Sequence, residues 1–438
     1  MKLEKIVDEI LNNYLKNGSD KRTLIEIRSK IINMLTQSKD KTPSEIIIPA
    51  LNSIKEATID FLTSKNLKGI DILSGISSSI YISDTNEYNI YINSGLVDPT
   101  ESYEIDENTL FDVDSITKLY TLILKDKLIK MGYFSDDTDI SSMLGFGEFK
   151  NLTIEDLSRM SGEVRTNGKI EEAKTYEEAL EILKTSYLFN SGKSNNTDIF
   201  SILIAIAITN TYNKVNSTNL KYENILENLI LKPYNLNDTC YNPTLDRITT
   251  GCGNIANMAF DPKARILNGV TGSSGIFTSS KDLAKLSKYM FNSSLVGREN
   301  LEKYSKIIFP NSENSNKGYF GLDVKNNEYN KSFASRNYSN SVFAIEGYTG
   351  SLAIFDPLNK FHNGILVNAV RPDLEKELQN NPLKSEYIID SKANGYKESL
   401  HTYNDILTKN TLIIDAIKKY LDLYDKDNNT VNTKIKIR

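Results

Sequence analysis

The stretch Thr109-Leu-Phe-Asp-Val-Asp-Ser-Ile-Thr-Lys-Leu-Tyr-Thr121 carries a serine and a lysine three residues apart, at Ser115 and Lys118. Side chains at positions i and i+3 are neighbours on a helix, so a helical turn here places the lysine amine beside the serine hydroxyl. Such a pair can act as nucleophile and base when its surroundings lower the pKa of the lysine. Taken alone, the spacing is weak evidence, because a helix-capping serine followed by an exposed lysine gives the same pattern.

The composition is that of a globular protein. The chain has 438 residues, of which 39% are hydrophobic and 25% are charged, with a net charge of -5. Its longest apolar run, residues 199–208, is shorter than the roughly 18 residues of a membrane span, so no membrane association is predicted. The negative charge argues against binding to nucleic acid. The N-terminus has no apolar segment with a cleavage site, which predicts a cytoplasmic protein.

Histidine and cysteine are scarce. The two histidines, His362 and His401, lie late in the chain, and surface positions are expected for both. A Ser-His-Asp hydrolase would need one of them at its serine, and a site of several histidines for a metal is not available. Cys240 and Cys252 are too loosely spaced for a zinc site or a disulfide framework. No metal or organic cofactor is predicted, and lysine or tyrosine must carry the proton in any nucleophilic chemistry.

The spacing of apolar residues divides the chain into helical and strand-rich parts. The predicted regions are a helical N-terminal extension (1–45), an α/β sheet region (46–120 and 310–438) and an inserted, mostly helical region (121–309). Alternation over residues 77–94 predicts a β-hairpin, and four further strands are expected between residues 319 and 370. Strands at both ends with helices between them predict an α+β fold, with one sheet assembled from distant segments. Ser115 lies at the transition from sheet to helix, where clefts are favoured.

Four segments, in the same order along the chain, resemble the serine β-lactamase and penicillin-binding-protein superfamily, specifically its class C-like branch of esterases and D-aminopeptidases. They are the stretch around Ser115, then Leu152–Gly162, Asp261–Ala284 and Glu346–Pro357. The resemblance implies a β-lactamase/transpeptidase-like fold, an antiparallel sheet flanked by helices with an inserted mostly helical subdomain. It also implies that Ser115 is acylated and that Lys118 transfers protons.

The second motif of this superfamily, a Tyr-x-Asn loop that supplies another base, is altered. Its place before the apolar helix is taken by Asn190-Ser-Gly-Lys-Ser-Asn-Asn196, which has no tyrosine. Ser194 and Asn196 fit a Ser-x-Asn version of the motif, or else belong to a plain polar loop that caps the next helix. Tyr187 is the nearest tyrosine, and a packed aromatic side chain is expected there.

The third motif, a Lys- or His-Thr-Gly strand that holds substrate and shapes the oxyanion hole with backbone N–H groups, is altered too. Alignment on Asp356-Pro357 puts Ile345-Glu-Gly347 in its place, whereas a slide of three residues gives Tyr348-Thr-Gly350. The candidate substrate-binding residues are therefore Gly347, Tyr348, Thr349, Gly350 and Ser351. In either register the usual cation is missing, which disfavours a substrate anchored by its carboxylate.

The sequence thus predicts a serine hydrolase that cleaves an ester or amide, including a modified or D-configured peptide, through an acyl-enzyme on Ser115. Its expected partner is this small-molecule or peptide substrate. Asp261, Lys263 and Arg265 are predicted to form an ion-pair network that supports the site. Two alternatives stay open: a catalytically impaired homologue that acts as a binding or scaffold protein, and an acyltransferase or peptide cyclase. A homo-oligomer also stays open, with residues 1–45 either packed on the body or making a dimer contact.

Overall fold

The computed structural model describes residues 2–38, 40–63, 66–67, 70–71, 73–83, 87–97, 103–147, 149, 152–194, 197–244, 247, 249–250, 258–308, 317–325, 336–367, 369, 396–424 and 432–436. The helices are α1 (Lys2–Asn17), α2 (Lys21–Thr36), α3 (Pro43–Ile46), α4 (Ile48–Thr63), α5 (Thr117–Lys130), α6 (Ile140–Leu144), α7 (Ile154–Ser158), α8 (Tyr176–Lys184), α9 (Asp198–Asn216), α10 (Tyr222–Leu226), α11 (Pro262–Ile266), α12 (Ser280–Phe291), α13 (Arg298–Tyr304) and α14 (Tyr396–Tyr424). Within the described part of the chain, no helix is both long enough and apolar enough to cross a membrane.

The strands are β1 (Asn66–Leu67), β2 (Ile70–Asp71), β3 (Gly75–Ser83), β4 (Glu87–Gly95), β5 (Leu110–Asp112), β6 (Ser161–Arg165), β7 (Tyr187–Ser194), β8 (Cys240–Tyr241), β9 (Thr249–Thr250), β10 (Ile276–Thr278), β11 (Asp323–Val324), β12 (Phe343–Glu346), β13 (Leu352–Asp356), β14 (Phe361–Val367) and β15 (Asn432–Lys436). Seven of them form the main sheet in the order β11-β12-β13-β14-β3-β4-β15. Its pairs are antiparallel except for β4 and β15. The predicted hairpin and the predicted sheet built from distant segments are both confirmed.

Alternating side chains of β3 explain how both faces of the main sheet are covered. Ile76 and Ile80 are fully buried in the core shared with α1, α2, α4 and α14. On the opposite face, the Oγ atom of Ser77 lies 2.6 Å from the Oγ atom of Ser280 at the start of α12. Because successive residues of a strand point to opposite faces, these small serine side chains let α12 lie close to the sheet.

A second, four-stranded sheet of short strands has the order β8-β10-β5-β9. Its strand β5 leads directly into the turn that carries Ser115. The core around it contains Phe111, Leu119 and Ile276, and also Ile204 of α9. The serine turn therefore lies against a buried apolar core.

The N-terminal helices pack against the last long helix. Val7 and Ile31 are fully buried in the same core as Ile413 and Ile417 of α14. The hydroxyl of Tyr14 donates a hydrogen bond to Asp415 of α14 at 2.5 Å. Lys419 forms an ion pair with the same carboxylate oxygen at 2.8 Å. Residues of the N-terminal extension thus form part of the layer that covers one face of the main sheet.

Replacing Tyr14 with phenylalanine should lower the free energy of unfolding by about 1.5–3 kcal/mol, because a buried charged acceptor loses its hydrogen-bond donor. Chemical denaturation measured by circular dichroism gives this value. Tyr103→Phe is the matched control, since the Tyr103 side chain is largely exposed and its loss of a hydroxyl should change little. An unfolding free energy equal to that of the unmodified protein would show that the contact with Asp415 does not hold α1 in place.

Two sequence-based expectations are wrong. His362, expected at the surface, is fully buried in β14, where its Nδ1 atom lies 2.8 Å from the carbonyl oxygen of Ile354. Burial lowers the pKa of His362 to about 3. The expected strand over residues 319–324 is a 3₁₀ turn (Tyr319–Gly321) followed by the two residues of β11, because Phe320 adopts a positive φ of 51°. Cys252 lies outside the described residues.

Candidate active site

Ser115 lies where the small sheet passes into α5. Asp112, the last residue of β5, is paired with Phe277 of β10. A 3₁₀ turn over Asp114–Ile116 follows, and α5 begins at Thr117. The Thr117 hydroxyl accepts a hydrogen bond from the backbone N–H of Ile276 at 3.2 Å, which fixes the turn against β10. The predicted helical turn around the serine is therefore present and held by its neighbours.

Ser115 and Lys118 are brought together as their spacing predicts. The Nζ atom of Lys118 lies 3.4 Å from the Oγ atom of Ser115. Lys118 is only 5% exposed, whereas Ser115 is half-buried, so the hydroxyl keeps access to solvent. This arrangement gives a hydroxyl nucleophile with an amine within reach of its proton.

An aspartate that sequence reasoning missed, Asp198, lies next to Lys118. The Lys118 ammonium is 2.9 Å from one carboxylate oxygen of Asp198, and the other oxygen is 3.0 Å from Nζ of Lys263. Burial disfavours the charged form of Asp198, but the two ammonium groups outweigh burial and lower its pKa to about 2. Asp198 is therefore ionised at neutral pH and shared between two lysines.

Asp261 is a second carboxylate that pairs with Lys263. Its carboxylate accepts hydrogen bonds from the backbone N–H of Lys263 and from the hydroxyl of Ser274, and lies 3.4 Å from Nζ of Lys263. Burial opposes the charged form of Lys263, yet Asp198 and Asp261 together raise the pKa of Lys263 above its usual range. The predicted pairing of Asp261 with Lys263 is present, while Arg265 is exposed.

Two further carboxyl groups lie directly before the nucleophile. Asp112 accepts hydrogen bonds from the N–H groups of Asp114 and Phe260, and burial together with the charge of Asp114 raises the pKa of Asp112 to about 7. Asp114 is 6% exposed and adopts a positive φ of 42°. Burial raises the pKa of Asp114, and the hydrogen bond from the Tyr348 N–H partly offsets this rise.

The end of β12 meets the serine turn at Gly347. A Cβ atom on this residue would lie 2.4 Å from the carbonyl oxygen of Val113, so only glycine fits. The next backbone N–H, that of Tyr348, donates to a carboxylate oxygen of Asp114 at 2.8 Å. The strand end at Gly347 is thus in direct contact with the residues that precede Ser115.

The remaining predicted substrate-binding residues form the turn between β12 and β13. Gly350 has a φ of +106° and donates its N–H to the carbonyl of Gly347 at 3.0 Å. Thr349 and Ser351 are buried, with their hydroxyls bonded to the carbonyls of Asp112 and Val367. Both hydroxyls thus donate to backbone carbonyls that hold the turn in place. The exposed side chain of this turn is that of Tyr348.

Tyr348 forms an aromatic surface near the nucleophile. Its side chain is 57% exposed and stacks on Phe260, with ring centroids 5.7 Å apart. Glu346, in the place of the second residue of the motif, forms an ion pair with Lys397 at 3.1 Å, and Nε2 of His401 lies 3.6 Å from its carboxylate. Burial opposes its ionisation, but these partners lower the pKa of Glu346 to about 2. Its carboxylate is thereby held against α14.

The altered second motif is only partly within the described residues. Ser194 ends β7 and pairs with Ser161 and Gly162 of β6, and Asn196 lies outside the described residues. Tyr187 begins β7 opposite Arg165, and its ring is half-buried. A proton relay through Ser194 and Asn196 stays a prediction.

Asp198 and Asp114 went unnoticed because their local sequence has an ordinary explanation. Asp198 is the first residue of α9 behind the capping Thr197, and an acid in the first turn of a helix is common because it complements the helix dipole. Asp114 is the residue directly before Ser115, and its spacing alone indicates no chemistry. In the part of the chain that the structure describes, no group of His, Cys, Asp and Glu could hold a metal ion.

A cavity of about 640 Å³ lies away from the serine. It is bordered by α8, α9 and the loop before β10, with apolar side chains such as Leu180, Ile202 and Ile206 on its walls. Neither Ser115 nor Lys118 lines it. Volume alone would favour this cavity as the site, but the paired nucleophile and amine at Ser115 carry the chemistry.

Comparison with known proteins is consistent with this fold. Structures with the same architecture include a penicillin-binding protein homologue from Pyrococcus abyssi (19% identity, 78% of this chain and 80% of that chain covered, TM-score 0.56). They also include a class C β-lactamase bound to cefoxitin (15%, 74% and 94%, 0.56) and the D-amino acid amidase of Ochrobactrum anthropi SV3 (14%, 85% and 99%, 0.56). A search of curated proteins found no match.

The family model "Beta-lactamase" matches residues 78–382, which is more than half of the chain. The matched range contains Ser115, Lys118, Asp198 and Gly347, and so covers the whole site described above. The expected β-lactamase/transpeptidase-like α+β fold is confirmed, and this protein is a member of the Beta-lactamase family.

Proposed function

We propose that this protein is a serine hydrolase that cleaves an ester or amide through an acyl-enzyme on Ser115. The observation that carries the proposal is the contact at the start of α5 between the buried amine of Lys118 and the half-buried hydroxyl of Ser115, 3.4 Å apart. Membership of a family whose structural neighbours include β-lactamases and an amidase supports it.

In the proposed reaction, the oxygen of Ser115 bonds to the carbonyl carbon of the substrate while its proton passes to the neutral amine of Lys118. The lysine then gives this proton to the departing oxygen or nitrogen as the bond to the carbonyl carbon breaks. In the second half of the reaction, a water oxygen bonds to the acyl carbon while one water proton passes to Lys118. Lys118 then gives this proton to the Ser115 oxygen as the ester bond breaks, which releases the acid and leaves the amine of Lys118 neutral again.

Backbone N–H groups of Ser115 and Tyr348 are the proposed donors to the oxyanion. The close approach of Gly347 to Val113 supports this, because it brings the N–H of Tyr348 to the residue that precedes the nucleophile. Donors aimed at the developing charge are commonly the largest single contribution to catalysis. In the structure this N–H is bonded to Asp114, so substrate must displace the Asp114 carboxylate to reach it.

The charges around Ser115 favour a substrate that is neutral or carries an amine. The carboxylates of Asp114, Asp198 and Asp261 outnumber the two cations Lys118 and Lys263 around the serine turn, and Asp112, whose pKa is raised to about 7, adds a partial negative charge. An anionic substrate would meet net repulsion here. An amino acid amide, such as the one bound by the D-amino acid amidase neighbour, or a small ester meets this requirement.

Intact-mass measurement after incubation with a fluorophosphonate tests the proposal. The unmodified protein should gain one adduct, and Ser115→Ala should gain none. Ser142→Ala is the matched control, because Ser142 lies in the exposed first turn of α6 and its loss should leave labelling unchanged. A parallel incubation with a penicillin asks whether a β-lactam also acylates the site.

An adduct that persists in Ser115→Ala would place the nucleophile elsewhere. Folded protein that gains no adduct from either reagent would overturn the proposal and favour a binding or scaffold role.

A further inference from the structure

Lys118 and Lys263 share one carboxylate. Lys118 contacts one oxygen of Asp198 at 2.9 Å, and Lys263 contacts the other at 3.0 Å. The Lys118 ammonium also lies 3.4 Å from the Ser115 hydroxyl. A continuous chain of contacts therefore runs from the nucleophile through Lys118 and Asp198 to Lys263.

The position of Asp198 is fixed by the body of the protein. It is the first residue of α9, a helix whose Phe200, Leu203 and Ile204 side chains are buried in the core around α5. The Lys118 side chain is 7% exposed and that of Asp198 30%, so water screens their ion pair only in part. The backbone of Asp198 is thus held in place by the packing of α9.

We propose that Asp198 is a positioning residue that holds Lys118 against Ser115, and that Lys263, by competing for the same carboxylate, eases the loss of the Lys118 proton. The inference rests on the proposed function, in which Lys118 must be neutral to accept the proton of Ser115. A single carboxylate beside an amine stabilises its charged form, and a second cation on that carboxylate weakens the effect.

Charged side chains surround Lys118 on several elements. Asp114 faces Lys118 from the turn before the serine, Asp198 faces it from α9, and Lys263 of α11 acts through Asp198. Asp261 holds Lys263 from the far side at 3.4 Å. The two carboxylates attract the Lys118 ammonium, and of the described neighbours Lys263 is the cation that repels it.

The pH dependence of two reactions tests the inference in Asp198→Asn and Lys263→Met. The first is the rate of fluorophosphonate labelling at Ser115. The second is trace acetylation of Lys118 by acetic anhydride, quantified by peptide mass spectrometry, which reports the neutral amine without any need for catalysis. Asp137→Asn is the matched control, because Asp137 is exposed and should leave both profiles unchanged.

In Asp198→Asn, the midpoint of Lys118 acetylation should move to lower pH by about one unit or more, and the acid limb of serine labelling should move with it. The maximum labelling rate should fall about tenfold, because Lys118 is no longer held in place. In Lys263→Met both midpoints should move to higher pH, with the maximum rate preserved.

The two readouts separate this inference from the proposed function. Unchanged acetylation midpoints in both variants would overturn the inference, whatever the serine does. Shifted midpoints in a protein whose serine resists labelling would support control of Lys118 by Asp198 and Lys263, and would refute the hydrolase. A shifted midpoint with an undiminished labelling rate in Asp198→Asn would overturn the positioning role.

Discussion

Replacing Lys118 with methionine should slow acylation of Ser115 by about 10²- to 10⁴-fold, the range expected when a general base is lost. Methionine fills a similar buried volume but cannot accept the Ser115 proton. Its removal also leaves the Asp198 carboxylate with Lys263 as its remaining lysine partner. Pseudo-first-order rates of fluorophosphonate labelling, followed by intact mass, measure the change.

Lys130→Met is the matched control for this substitution. Lys130 ends the same helix and is exposed, so its loss should leave the labelling rate unchanged. Thermal unfolding of both variants shows whether the fold is retained. A folded Lys118→Met protein that labels at the native rate would contradict the proposed role of Lys118 as base.

Replacing Asp114 with glycine should instead accelerate acylation, by about tenfold or more, since one oxyanion-hole donor commonly contributes 10²- to 10³-fold. The substitution releases the N–H of Tyr348 from the Asp114 carboxylate and removes a negative charge beside the position where the oxyanion forms. Glycine also adopts the positive φ of 42° at this position without strain. The same labelling experiment, together with turnover of a neutral nitrophenyl ester, measures the gain.

Asp114→Asn separates the two causes. Asparagine keeps a carbonyl oxygen that can accept from Tyr348 but removes the charge, so its labelling rate should lie between those of the native protein and Asp114→Gly. A rate for Asp114→Gly below the native rate would mean that the hydrogen bond to Tyr348 positions the strand end rather than obstructing the oxyanion hole.

Much of the fold could be predicted because the decisive signals are local and periodic. Alternation in residues 77–94 predicts the hairpin of β3 and β4, and the stretch around Ser115 predicts the passage from strand to helix. Burial of His362 was missed because the turn-like sequence around it conceals a central strand.

Only the part of the site that lies within one short stretch of the chain could be predicted from the sequence. Ser115 and Lys118 are three residues apart, so helix geometry alone brings them together. Asp198 and Lys263 lie far from Lys118 in the sequence and reach it through the packing of α9 and α11. The hydrogen bond from Tyr348 to Asp114 likewise joins segments more than two hundred residues apart. The spacing of residues along the sequence does not predict contacts between such distant segments.

The packing of α1 and α2 against α14 has a consequence for biosynthesis. Apolar side chains of α1 and α2 pack against α14, which is translated several hundred residues after them. At a synthesis rate of about 5–20 residues per second, these apolar side chains stay without their α14 partners for tens of seconds. We expect nascent chains that stop before residue 396 to be captured by chaperones or to aggregate through this surface, and α14 to cover it once it has been translated.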